Sequence, residues 1–197
     1  MTVHEFLEWQ DARDELYELV DGEPVAMAGA KIRHDLVAGN ALSEIRRQFR
    51  ATGNPCDTVS GDIGIPTSAE TFRRPEVSVL CPPFDQDATM GTSPRLIVEV
   101  LSESTERVDR LFKLEEYNAL ESLNYILVVD PTAVDVGFWV REAGGNWRSE
   151  RITNMEAAIH MPRLGLSLPV AVLYDRIQLT QRPRPRLVWD DTPPAPP

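Results

Sequence analysis

The stretch Pro94-Arg-Leu-Ile-Val-Glu-Val-Leu101 is almost continuously apolar, as a central strand covered on both faces is. Asn124-Tyr-Ile-Leu-Val-Val-Asp130 reads the same way. Between them Ser102 to Thr105 supply a turn and a helix cap, and Leu111, Leu114, Tyr117, Leu120 and Leu123 keep helical spacing. Strand, helix, strand over residues 95–130 predicts a βαβ crossover. The fold class is therefore α/β (α+β), a mixed β-sheet flanked by helices.

Working outward, Thr2 followed by Glu5 and then Phe6, Leu7 and Trp9 is a capping-box start to a helix of about ten residues. Leu16 to Val20 and Glu23 to Ala28 flank Asp21-Gly22 as a hairpin, and Pro24 places its strand at an edge. Apolar positions from Ile32 to Phe49 predict a long helix, ended by Gly53-Asn54-Pro55. Short strand-like runs follow at 58–60, 63–65 and 75–81, then a polar loop over 83–94. A second hairpin joins Val134–Val140 to Trp147–Ile152 around Gly144-Gly145-Asn146.

The 197 residues fit one domain over 1–180, with a Pro/Arg-rich tail over 181–197 that buries too little apolar surface to order itself. No apolar run reaches the roughly 20 residues of a membrane span, and the N-terminus lacks a targeting pattern, so a cytoplasmic protein is expected. Cys56 and Cys81 are too few and too widely spaced for a disulfide framework or a zinc ribbon and read as free, buried thiols in a reducing cytoplasm. The net charge of −11 excludes a general polyanion-binding coat. The first 35 residues alone hold nine acids against three bases, more than half of that excess.

Glu99 is the informative residue. A carboxylate inside an apolar strand costs several kcal/mol to bury unpaired, so something must offset it. Strand alternation puts Glu99 on the face of Ile97 and Leu101, opposite Val98 and Val100. Glu76 opens another apolar strand just after Pro75. Two acids on strands suit a hard divalent ion such as Mg²⁺, which takes one or two carboxylates and fills its shell with water and phosphate oxygens. His4, His34 and His160 have no zinc-ligand spacing. Lys113 lies four residues after Asp109, beside Arg110 and Arg107. Spacing alone leaves two readings open, a solvated ion pair or a lysine placed over the metal site.

The segments Tyr17-Glu-Leu-Val-Asp-Gly-Glu23, Arg74-Pro-Glu-Val-Ser-Val-Leu-Cys81, Leu96-Ile-Val-Glu-Val-Leu-Ser-Glu-Ser-Thr105 and Asp109-Arg-Leu-Phe-Lys113 with Tyr117 resemble the Uma2 family. That family is a bacterial group of endonuclease-like proteins with the PD-(D/E)XK restriction-endonuclease-like fold, and the likeness runs over about residues 1–177. It implies a DNA-cleaving site using Mg²⁺ or Mn²⁺. Glu76 takes the position of the motif's Asp, Glu99 that of the second acid, and Lys113 that of a lysine displaced onto the following helix, since Leu101 occupies the usual strand position. Glu18 resembles an early glutamate that often completes such sites, with an exposed strand carboxylate as the alternative. His34 resembles a histidine near the family's first long helix, and Asp109 is a further candidate. Arg73, Arg74, Arg95, Arg107 and Arg110 are candidate phosphate contacts, and a homodimer is the implied assembly. The family usually carries Asp where this chain has Glu76, and the extra methylene moves the carboxylate by about 1.5 Å. A nuclease fold kept as a binding or assembly module is the alternative from another class.

Overall fold

The computed structural model describes residues 1–27, 29–102 and 107–180, and of residues 107–112 the backbone only. The expected helix cap, over residues 103–105, and the tail 181–197 lie outside the described residues. Helix α1 (Val3–Asp11) starts with the expected capping box: Glu5 N donates to Thr2 Oγ1 and Thr2 N donates to Glu5 Oε2. Strands β1 (Tyr17–Val20) and β2 (Glu23–Ala26) form the hairpin, with Asp21 and Gly22 both at positive φ as a two-residue primed turn requires. Helix α2 (Ile32–Thr52) closes on Gly53 in the left-handed conformation. Then come β3 (Asp57–Ser60), β4 (Ile65–Pro66), β5 (Phe72–Arg73), β6 (Val77–Leu80), β7 (Pro94–Val100), α3 (Arg107–Asn118) and β8 (Tyr125–Val129). The chain continues through β9 (Val136–Arg141), β10 (Trp147–Ile152), β11 (Ala158–Met161), β12 (Leu166–Pro169) and the short α4 (Val170–Leu173).

The main sheet has the order β10-β9-β8-β7-β6-β3, antiparallel except for β7 and β8. Those two run parallel, with Glu99 opposite Val128, as a βαβ crossover requires. Alternation along β7 divides the core. Leu96, Val98 and Val100 pack with Val37, Ala41, Ile45 and Phe49 of α2, whereas Ile97 and Leu101 pack with Tyr117 of α3. The expected mixed sheet flanked by helices is thus present, and the Glu99 face is the α3 face. A second sheet, β2-β1-β5-β4, has Pro24 on its edge strand and rests on α1 through Phe6, Leu19 and Phe72.

Two expectations need correction. The helical spacing running to Leu123 overshoots α3, which stops at Asn118. There the chain passes into tight turns, Leu120 N to Tyr117 O and Leu123 N to Leu120 O, while the Arg141 guanidinium gathers the carbonyls of Asn118, Leu120 and Leu123. A cation on free carbonyls at a helix end stabilises that termination. The second concerns the thiols: Cys56 and Cys81 are joined in a disulfide. They sit opposite each other just past the Asp57↔Leu80 pair, where the antiparallel register of β3 and β6 brings their Cα atoms to 4.1 Å. That pairing removes the support that free thiols gave to a reducing compartment. Replacing Cys81 by Ser should cost roughly 2–4 kcal/mol. Denaturant unfolding without reductant measures it, and dithiothreitol should bring the wild type to the same midpoint. No helix among the described residues is long and apolar enough to cross a membrane.

Candidate active site

The C-terminal end of β7 meets four other elements: the start of β1, the first turn of α2, the β5–β6 segment and the inner face of α3. Glu99 leaves β7 on the α3 face, with its side chain 12% exposed. Its Oε1 accepts the Tyr117 phenol at 2.5 Å, and its Oε2 lies 3.9 Å from Lys113 Nζ. Lys113, Glu116 and Tyr117 are three and four residues apart on α3, so they project from one face.

Glu18 of β1 is buried and fully engaged. Its Oε1 accepts the Lys113 ammonium at 2.9 Å and the Arg74 amide at 3.0 Å, and its Oε2 accepts Arg73 Nη1 at 3.0 Å. Arg73 is 2% exposed and donates a second, two-pronged set of bonds to Glu116, at 2.7 and 2.6 Å. The result is a continuous chain of alternating charge, Glu116–Arg73–Glu18–Lys113–Glu99. Glu76 precedes β6 and reaches across to β7, where its Oε2 accepts the Val100 amide at 2.8 Å. Its Oε1 lies 3.3 Å from His34 Nε2, which also meets the Val100 carbonyl at 3.0 Å.

Four carboxylates therefore share two permanent cations, Lys113 and Arg73. Burial, with the charge of Glu76 adding to it against the pull of Lys113, pushes the Glu99 carboxyl up to about 8. Burial also acts against a charged Glu18, but Lys113, the Arg74 amide and Arg73 outweigh it and hold Glu18 below its ordinary value. For Lys113 burial is again outweighed, here by Glu99 and Glu18, so the ammonium is held above its usual range. The hydrogen bond to Glu76 likewise overcomes burial and raises His34. Burial raises the Tyr117 phenol, which stays a donor to Glu99.

The structure thus brings Glu18, Glu76, Glu99, Lys113 and His34 together. Arg73 and Arg74 are spent inside the protein: Arg74 donates to the carbonyls of Tyr17 and Asp62, so phosphate contact by either guanidinium would require breaking these bonds. Arg95 is half-buried and donates to the Ser122 carbonyl. The side chains of Asp109, Arg107 and Arg110 lie outside the described residues. His4, beside Glu8, and His160, beside Ser167, are on the surface. Glu116 looks in sequence like any helical glutamate; its spacing of three from Lys113 and one from Tyr117 is the signal that sets it apart.

The sequence pattern of the Uma2 family, described as "Putative restriction endonuclease", matches residues 3–171. The chain belongs to this family. Two uncharacterized proteins of Synechocystis are similar to this Uma2 chain. One is 30% identical over 88% of the chain and 91% of the relative, the other 25% identical over 81% and 91%. The fold is also similar to a crystal structure from Anabaena variabilis described as a "putative nuclease belonging to DUF820". The TM-score is 0.72 at 16% identity, covering 90% of the Uma2 chain and 99% of that one.

Proposed function

We propose that this Uma2 protein is a metal-dependent endonuclease that hydrolyses DNA phosphodiester bonds, using Mg²⁺ or Mn²⁺ held by Glu76 and Glu99. The observation that carries this reading is Glu99: a carboxylate buried next to another, whose ionised form is short of positive charge. A divalent cation offsets that shortage. Among the described residues no group of three or more His, Cys, Asp or Glu is placed to hold a metal by itself. Two carboxylates completed by water and phosphate oxygens match the habit of Mg²⁺ rather than that of structural zinc.

A bound ion supplies an acidified water and polarises the phosphoryl oxygen. The protein's own groups do the rest. Lys113, kept protonated by Glu18 and Glu99, is a fixed donor and positive charge for a phosphoryl oxygen, and that same protonation excludes it as the base. Glu18 holds the ammonium in place, and Arg73 holds Glu18. His34 steadies Glu76 from the side away from the Val100 amide. The −11 total charge favours contact with DNA bridged by the ion over contact through a broad basic face. A two-fold homodimer would supply one such site for each strand.

Supercoiled plasmid incubated with Mg²⁺ or Mn²⁺ tests the proposal. Nicking that needs the ion and disappears in Lys113→Ala is expected; nicking that survives this substitution contradicts the assignment. An ion-binding protein that leaves DNA intact would point to the binding-module alternative.

The raised Glu99 carboxyl makes stability depend on pH. A carboxyl raised from 4.5 to about 8 on folding stabilises the protein while neutral, and that contribution is lost as pH rises through about 8. His34, also raised, acts in the same direction. The metal-free protein should therefore melt at a lower temperature at about pH 8.5 than at about pH 6. Added Mn²⁺ should restore more at the higher pH, where the proton no longer competes for the ligand. Thermal melts at the two values check this; equal effects of Mn²⁺ at both would contradict it.

A further inference from the structure

Each carboxylate proposed as an ion ligand has one oxygen already held by the protein. Glu76 Oε2 accepts the Val100 amide at 2.8 Å, and Glu99 Oε1 accepts the Tyr117 phenol at 2.5 Å. Of the other two oxygens, Glu76 Oε1 takes the longer 3.3 Å contact of His34 Nε2, and Glu99 Oε2 lies 3.9 Å from Lys113 Nζ. The two restraints differ in kind. The amide belongs to strand backbone, whereas the phenol is a side chain on another element, fully buried among Ile97, Leu101, Leu123 and Ile126. Packing on that scale leaves the ring little freedom to withdraw.

An oxygen that already accepts a short hydrogen bond is the poorer donor to an ion, so a carboxylate held this way favours ligation through its other oxygen. Mg²⁺ demands a strict octahedron at about 2.0–2.1 Å and suits single-oxygen ligation, whereas Ca²⁺ takes 6–8 oxygens at about 2.3–2.6 Å and readily binds both oxygens of one carboxylate. Resting on the proposed function, we propose that Tyr117 is a positioning residue that sets the ion selectivity of the site. By holding Glu99 Oε1 it confines Glu99 to one-oxygen ligation and favours magnesium over calcium.

Calorimetric titration of the full chain with MgCl₂ and, separately, with CaCl₂ tests this in wild type and Tyr117→Phe. Loss of the hydroxyl frees Oε1 to turn toward the ion. Magnesium affinity should fall roughly tenfold or more, the scale of losing a partner that orients a ligand, while calcium affinity holds or rises. A merely structural tyrosine would weaken both ions alike and leave their ratio unchanged. An unchanged ratio with both ions still bound overturns the inference and leaves the proposed function standing; wild type that binds neither ion overturns both. Infrared difference spectra of the Mg²⁺-loaded wild type keep the question open to refutation should the variant not fold. With the Glu99 bands assigned through Glu99→Gln, a wide separation of the antisymmetric and symmetric carboxylate stretches is expected from one-oxygen binding. A narrow separation, the mark of two-oxygen binding, overturns the inference.

Discussion

Glu99→Gln should reduce ion-dependent DNA cleavage by on the order of 100- to 1,000-fold, the scale of removing one preorganised electrostatic group. It should do so while leaving the metal-free protein at least as stable as wild type. The amide is nearly isosteric and its carbonyl oxygen can still accept the Tyr117 phenol, so packing on the α3 face is kept. What disappears is a charge that burial and Glu76 make costly to ionise. At about pH 9, above the point near 8 at which the wild-type carboxyl takes on that charge, the variant should melt higher, and its loss of stability with rising pH should be shallower. Loss of function paired with gain of stability is the pattern of a residue retained for chemistry. Parallel plasmid cleavage and thermal melts measure it. A variant that loses cleavage by unfolding would give Glu99 a structural role instead.

Arg73→Ala should destabilise the protein by roughly 3–5 kcal/mol, because breaking a buried ion pair leaves uncompensated charge behind. The guanidinium is 2% exposed and serves Glu116 with two bonds and Glu18 with one. Deleting it takes the cation from Glu116 and leaves Glu18 with Lys113 and the Arg74 amide alone, in a site that burial already makes unfriendly to charge. Arg73→Lys should recover only part of the loss, since an ammonium lacks the planar fork that spans two carboxylates. Chemical denaturation midpoints give the answer. A cost under about 1 kcal/mol, typical of an exposed pair, would mean that the chain of charges from Glu116 to Glu99 is not the frame of the site.

Much of this arrangement is legible in the residues. The apolar run around Glu99 and the helical spacing after it yield the parallel pair β7 and β8, and strand alternation puts Glu99 on the face of Ile97 and Leu101, which the fold turns toward α3. Thr2 with Glu5, and Asp21-Gly22 between two strand-like runs, announce α1 and the first hairpin because capping and positive φ are local requirements. What escapes the sequence is set by distant pairing. Cys56 and Cys81 meet only because β3 and β6 are antiparallel and in register, and no spacing rule supplies that. Glu18 reads equally well as a surface carboxylate until β5 brings Arg73 and the Arg74 amide to it. The two arginines beside Glu76 look like phosphate contacts in sequence, yet each is committed to protein groups that only the fold puts within reach. Ile159, Met161, Leu166 and Leu168 of β11 and β12 alternate with less buried neighbours, but each run is only four residues long, and tertiary packing decides that these side chains join the core on the α2 side.

In the proposed site Glu76 and Glu99 hold one ion between them. A crystal structure of the protein soaked in Mn²⁺, located by its anomalous signal, tests that most directly. A single Mn²⁺ bound to Glu76 Oε1 and Glu99 Oε2, with Lys113 still on Glu18, is the expected result. Manganese bound elsewhere, or no peak at this pair of carboxylates at millimolar concentration, would contradict it.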